Sequence, residues 1–202
     1  MGKQKHGAPH TQHRFDDIEK WVALFEDPDR ALWQKPEEVV KNLSLKDGYV
    51  IADIGAGTGY FTRRFAEAVR PHGTALGLDI EPAMVEYMRE DARKLNLDNY
   101  VSRRIKPDNP ELSPKSVDVI FVCNTLHHIE DRVAYLRRLS TSLKPGGRVV
   151  IVDFYKRPLP VGPSPRMKLS RDDVITEFEE AGYRLKQTRD FLPYQYFLEF
   201  SL

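Results

Sequence analysis

The chain has 202 residues, 41% of them apolar and 30% charged, with 31 basic against 30 acidic side chains. That length suits one α/β domain and leaves little room for a second, and a net charge of +1 supplies no global field for holding nucleic acid or an anionic membrane. The single cysteine, Cys123, excludes an internal disulfide, and no apolar run approaches the ~18 residues of a bilayer span.

Residues 1–14 carry His6, His10 and His13 with no apolar periodicity, and they read as a disordered polar tail. No Cys, Asp or Glu lies among these histidines, so a metal site is not expected. The stretch lacks the apolar core of a signal peptide, so the expected location is cytoplasmic, although a leader removed upstream would leave no trace. Residues 15–45 read as a helical cap. Ile18, Trp21, Val22 and Phe25 recur at helical spacing, and Asp27-Pro28-Asp29 then breaks the pattern. Pro36 opens a second short helix, where its missing N–H costs nothing, with Val39, Val40 and Leu43 inward.

Residues 46–202 alternate between strand and helix. Tyr49–Ile54 reads as a strand, Gly59–Arg70 as a helix, Thr74–Asp79 as a strand and Pro82–Leu95 as a helix. Strands over Tyr100–Ile105 and Asp118–Cys123 follow, then a helix over Asp131–Leu143. Pro145-Gly146-Gly147 turns the chain into a strand over Arg148–Phe154. The alternation predicts a parallel sheet covered on both faces. Residues 155–169, with four prolines, read as a short loop with little chain for an elaborate lid. Ser170 with Asp173 forms a capping-box signature for a helix that Gly182 ends. Tyr183–Phe191 and Tyr194–Phe200 read as two strands whose short link forces an antiparallel pair.

The loop Asp53-Ile54-Gly55-Ala56-Gly57-Thr58-Gly59 lies where the first strand passes into a helix, the usual ligand-binding switch point of an open α/β sheet. Glycines permit the turn and let a ligand approach the backbone. A dinucleotide fingerprint places glycines first, third and sixth, but the sixth position here is Tyr60. The Asp53 carboxylate repels a diphosphate and attracts an ammonium or zwitterion. Asp79 ends the second strand 24 residues after Gly55, where a carboxylate expected at the open edge of a cleft can accept hydrogen bonds from a ribose diol. Loop and acid together describe an adenosine-type ligand with positive charge and no phosphate.

These segments, with Gly77-Leu78-Asp79, Asp118-Val119-Ile120-Phe121 and Leu143-Lys144-Pro145-Gly146-Gly147, resemble the successive motifs of class I S-adenosylmethionine-dependent methyltransferases. The resemblance spans about residues 36–200 and is greatest to the small-molecule branch that includes the ubiquinone and menaquinone biosynthesis enzymes. It implies a Rossmann-like, doubly wound, mostly parallel seven-stranded sheet ending in an antiparallel strand pair. It also implies S-adenosyl-L-methionine as cofactor and S-adenosyl-L-homocysteine as product. By resemblance, Gly55, Gly57 and Gly59 pass under the methionine moiety with Asp53 near its ammonium. Asp79 holds the ribose, Ile80 packs on adenine, Asp108 meets the adenine amino group, and Asn124 lines the methyl end. The segment around Asp108 departs from the family's usual glycine-acid pair.

His127 and His128 follow Asn124, and histidine suits proton removal near neutral pH. His127 is the preferred candidate base. The alternatives are that one histidine merely caps the adjoining helix and that alignment alone drives transfer, which is the expected case. Trp33, Gln34 and Tyr60 are candidate lid residues, with Trp33 equally readable as a core anchor. The segment Asn124-Thr125-Leu126-His127 lacks the Asn/Asp-Pro-Pro-aromatic motif of enzymes that methylate bases or glutamine. The expected partner is therefore a small-molecule acceptor, with no nucleic acid, and the chain is expected to be a monomer or homodimer. A protein or RNA methyltransferase and a non-catalytic cofactor-binding module are the alternatives.

Overall fold

Strand–helix alternation beyond residue 49 builds one seven-stranded sheet in the computed structural model, which describes residues 18–202. The tail read as disordered and the start of the first predicted helix lie outside the described residues. Three helices come first: α1 (Ile18–Phe25), α2 (Arg30–Gln34) and α3 (Pro36–Asn42). Then follow β1 (Val50–Ile54), α4 (Thr62–Ala68), β2 (Thr74–Asp79), α5 (Pro82–Leu95), β3 (Tyr100–Arg104) and β4 (Val117–Cys123). The chain ends with α6 (Arg132–Ser142), β5 (Leu143–Phe154), α7 (Arg171–Glu180), β6 (Arg184–Arg189) and β7 (Gln195–Ser201).

The strand order is β3-β2-β1-β4-β5-β7-β6, with β1 to β5 parallel and β7 antiparallel to both β5 and β6. The order reverses beside β1, so the crevice between the ends of β1 and β4 is the switch point. Each face is sealed by its own apolar layer. Phe61, Phe65 and Phe121 pack with Val85 and Met88 on one face, while Leu136, Leu139, Val174 and Phe178 cover the other. Burial on both faces explains why β4, Val117–Cys123, is almost uniformly apolar.

Several elements differ from the sequence expectation. Helix α4 starts at Thr62 rather than Gly59, because Gly55, Gly57 and Gly59 all take positive φ and keep the chain in turns. Helix α2 was not anticipated; five residues are too short to show an apolar period, and it joins α3 through Lys35 at φ 45°. Strand β5 begins at Leu143 rather than Arg148. The Pro145-Gly146-Gly147 turn lies inside it, where the register with β4 slips between Val117 and Val119. Elsewhere the local signals hold: Pro36 and Pro82 open their helices, and Ser170 and Asp173 form the reciprocal capping box of α7. The loop at residues 155–169 carries a single 3₁₀ turn, Pro165–Met167.

Candidate active site

The carboxyl ends of β1, β2, β4 and β5 converge, and the strands bring Asp53, Asp79, Cys123 and Asp153 to that edge. Asp53 is 3% exposed and accepts a hydrogen bond from the Thr62 hydroxyl at 2.6 Å. Burial pushes its carboxyl up to about 7, with Thr62 and the Arg30 guanidinium opposing and Asp79 adding to the rise.

Asp79 is buried, not set at an open edge as expected from sequence. Its Oδ2 accepts the Gly57 N–H at 2.8 Å and its Oδ1 the Glu81 N–H at 3.0 Å. Burial raises its pKa while these N–H groups oppose. The same carboxylate that would hold a ribose therefore also ties the glycine loop to β2. Each oxygen keeps a second lone pair for a ligand. Ile80, next in the chain, is 41% exposed and offers a bare apolar face beside that carboxylate.

The glycine loop is crowded by the protein itself. A Cβ on Gly55 would stand 2.3 Å from Cγ2 of Thr125, and one on Gly59 would run into the Tyr100 hydroxyl. The outer side of Gly57 faces the Phe25 ring of α1, so the N-terminal segment lies over the loop. Arg63 clamps that segment with paired bonds to Glu26 of 2.8 and 2.9 Å. Tyr60 is buried under two cations, Arg30 at 3.9 Å and Arg64 at 4.3 Å from the ring centre.

Gln34 is fully buried, and its Nε2 donates to Cys123 Sγ and to Gln195 Oε1, both at 3.1 Å. Gln195 in turn donates to Asn124 Oδ1 at 2.6 Å. Asn124 sits at φ 55°, a conformation its short amide side chain tolerates. Burial pushes the Cys123 thiol up, so it is not a ready thiolate. Trp33 packs on Phe154 and Tyr194, with ring centres 5.6 and 6.5 Å away.

His127 lies in the 3₁₀ turn Leu126–His128, and its Nδ1 meets Asp153 Oδ2 at 3.0 Å. The two side chains are 4% and 1% exposed, and Asp153 Oδ1 accepts the Phe154 N–H at 2.8 Å. A carboxylate on Nδ1 fixes the ring's orientation and leaves Nε2 as the atom for other work. His128 is exposed, its ring 4.2 Å from that of His127.

The structure thus brings Asp53, the three glycines, Asp79, Ile80, Asn124, Gln34, Tyr60 and His127 to one end of the sheet. Asp108 stands on the segment after β3, whose Ile105 N–H bonds the Asp79 carbonyl at 2.9 Å. Its carboxylate is 75% exposed and 3.8 Å from Arg138, whose guanidinium also bonds the Asp108 carbonyl. Sequence reasoning missed Arg30, Asp153 and Gln195. The Asp29-Arg30 helix start held a signal for the first; the other two show their place only through contacts across the fold.

A seven-stranded sheet of this order, with two buried acids flanking a glycine loop at the switch point, defines a nucleoside-binding α/β domain. A family profile described as a methyltransferase domain matches residues 45–187. Among solved structures, a SAM dependent methyltransferase from Aquifex aeolicus is similar at a TM-score of 0.85 and 28% identity, over 91% of this chain and 97% of that one. Among curated proteins, the chain is 31% identical over 119 residues to a ubiquinone/menaquinone biosynthesis C-methyltransferase from Pasteurella multocida, which is 55% of this chain and 42% of the relative. It is 33% identical over 161 residues to phosphoethanolamine N-methyltransferase 3 from Arabidopsis thaliana, 77% of this chain and 29% of the relative. The chain therefore spans less than half the length of both curated relatives. It belongs to the class I S-adenosylmethionine-dependent methyltransferase family, whose cofactor is S-adenosylmethionine.

Proposed function

We propose that this chain transfers a methyl group from S-adenosylmethionine to a small organic acceptor by direct in-line displacement. The observation that carries the reading is the grouping of Asp53, the Gly55–Gly59 loop, Asp79 and Ile80 at the switch point. The donor set fits the cofactor: acids for an ammonium and a diol, an exposed apolar side chain for a flat ring, and Tyr60 rather than glycine at the sixth position that a diphosphate fingerprint requires. Bound there, the sulfonium supplies an electrophilic methyl whose departure leaves the electron pair on sulfur.

The chain's own part is to bind, align and exclude water. Asp53 faces the ammonium, Asp79 the ribose hydroxyls and Ile80 the adenine, while Asn124, held by Gln195, lines the methyl end. Asp108, three residues beyond the Ile105 N–H that bonds the Asp79 carbonyl, is the acid for the adenine amino group. Residues 15–45 act as the cap, with Gln34 closing on the strand ends, Tyr60 meeting the cap from beside the glycine loop, and Trp33 forming the aromatic wall on the acceptor side. Alignment of nucleophile, methyl and sulfur can supply roughly 7–11 kcal/mol, so no base is needed unless the acceptor must lose a proton. His127, oriented by Asp153, is the candidate to accept one. Among the described residues no helix is long and apolar enough to cross a membrane. We place the protein in the cytoplasm, as a monomer or homodimer, acting without nucleic acid. Incubation with methyl-labelled cofactor and a small-molecule metabolite extract tests the reading: label should pass to a low-molecular-weight product. Label recovered only in protein or RNA would overturn it.

A further inference from the structure

The chain is almost neutral overall, yet it gathers cations in one groove. Lys156 and Arg157 run directly off the carboxyl end of β5, and Arg171 opens α7 beside them. Together with Tyr155, Leu192 and Pro193 they line a groove of about 520 Å³. Its position matters. Phe154, the last residue of β5, and Tyr194, which follows Pro193, are the rings against which Trp33 packs. The groove therefore adjoins the aromatic wall at the same end of the sheet as Asn124 and His127.

We propose that this groove is the anion-binding half of the acceptor site and that the methyl acceptor carries a phosphate group. The inference rests on the methyltransferase reading above. Carboxylates do approach: Asp173 lies 3.7 Å from Lys156, Asp172 lies 3.7 Å from Arg171, and Asp190 acts on the Tyr155 hydroxyl. Both ion pairs are solvent-exposed, the class worth about 0–1 kcal/mol, and they yield readily to a doubly charged ligand. Arg157 lies over the Tyr155 ring at 5.3 Å, which leaves its edge of N–H donors for phosphate oxygens. Lys168 is buried beneath, with its ammonium donating to the Arg157 carbonyl at 3.0 Å, so the backbone that presents Arg157 is anchored. Leu192, Pro193 and the Tyr155 ring supply an apolar wall for the organic part of the acceptor.

The test titrates inorganic phosphate into the whole protein at constant ionic strength, followed by ³¹P resonance broadening, for wild type and an R157Q/R171Q variant. Saturable broadening in the wild type and at least tenfold weaker binding in the variant are expected. No saturable binding, or equal binding by both proteins, overturns the proposal. Calorimetry with S-adenosylhomocysteine runs alongside. Affinity within twofold of wild type shows that the variant is folded, whereas failure of both proteins to bind it would sink the methyltransferase reading and leave the phosphate result readable. The labelled product from the extract experiment gives a second readout, since a product containing no phosphorus also overturns the proposal.

Discussion

Asp79 accepts the Gly57 and Glu81 N–H groups on the same pair of oxygens that the proposed site turns toward the ribose. Asp79→Ala is therefore expected to weaken S-adenosylhomocysteine binding by roughly 1.5–3 kcal/mol and also to lower stability by about 1–3 kcal/mol. Calorimetry and a denaturant melt check the two parts; unchanged affinity would show that another acid holds the ribose. Asp53 makes a different prediction. Its folded pKa of about 7 stands above the ordinary 3.8, so the folded chain holds a proton that the unfolded chain has released. This group favours folding at low pH, and that contribution is lost as pH rises through the window between those values. An arriving ammonium pulls the carboxyl back toward the charged form. Binding of S-adenosylhomocysteine near pH 6 should release close to one proton, read from the dependence of binding heat on buffer ionisation enthalpy. Absence of proton release would place the ammonium elsewhere. For His127, the alignment mechanism predicts that His127→Gln keeps more than about a tenth of wild-type turnover, against the roughly 10²–10⁴-fold loss expected for a missing base. A hundredfold fall with cofactor affinity intact would identify His127 as that base.

Helix α1 buries no residue completely, and the contacts that hold it over the glycine loop include Phe25 against Gly57, the Arg30 bond to the Phe25 carbonyl and the Glu26–Arg63 clamp. Hydrogen bonds to charged groups contribute about 1.5–3 kcal/mol each before exposure is discounted, and this pair is one-fifth exposed. Glu26→Ala should speed amide exchange across residues 18–34 by about tenfold while β1 and β4 keep their protection. Equal exchange in wild type and variant would mean that the clamp does not hold α1. The elements most legible in sequence were those whose signals are local. Strand β2 and helix α5 fall at their expected bounds, because Pro82 sets the start of the helix and Asn96, at φ 53°, its end. The glycine loop and its two acids were legible for the same reason. The Gln34–Cys123 and Gln34–Gln195 bonds cross 89 and 161 residues of chain, and the His127–Asp153 pair crosses 26. Nothing local marks those partners. The burial of Asp79 was likewise illegible, because it arises from the loop folding back onto β2.

At the scale of the molecule, cofactor binding to the folded state alone must raise stability. S-adenosylhomocysteine at 100 times its dissociation constant adds roughly 2.7 kcal/mol, or about 5–10 °C in Tm for a chain of this size. NAD at the same concentration should give no shift, since Tyr60 takes the place of the third glycine and Asp53 opposes a diphosphate. A shift with NAD and none with S-adenosylhomocysteine would refute the cofactor assignment. The order of the strands has a consequence for how the chain is made. Strand β7 lies between β5 and β6, yet it is the last of the three to leave the ribosome. Until residues 195–201 emerge, the apolar run of β5 has an edge with no partner, and β6 has nothing to pair with. An unpaired buried strand is the kind of edge that recruits other chains. A nascent chain stalled before residue 195 would therefore present a sticky, half-built sheet to its neighbours, and the closing strand acts as its own late-arriving chaperone.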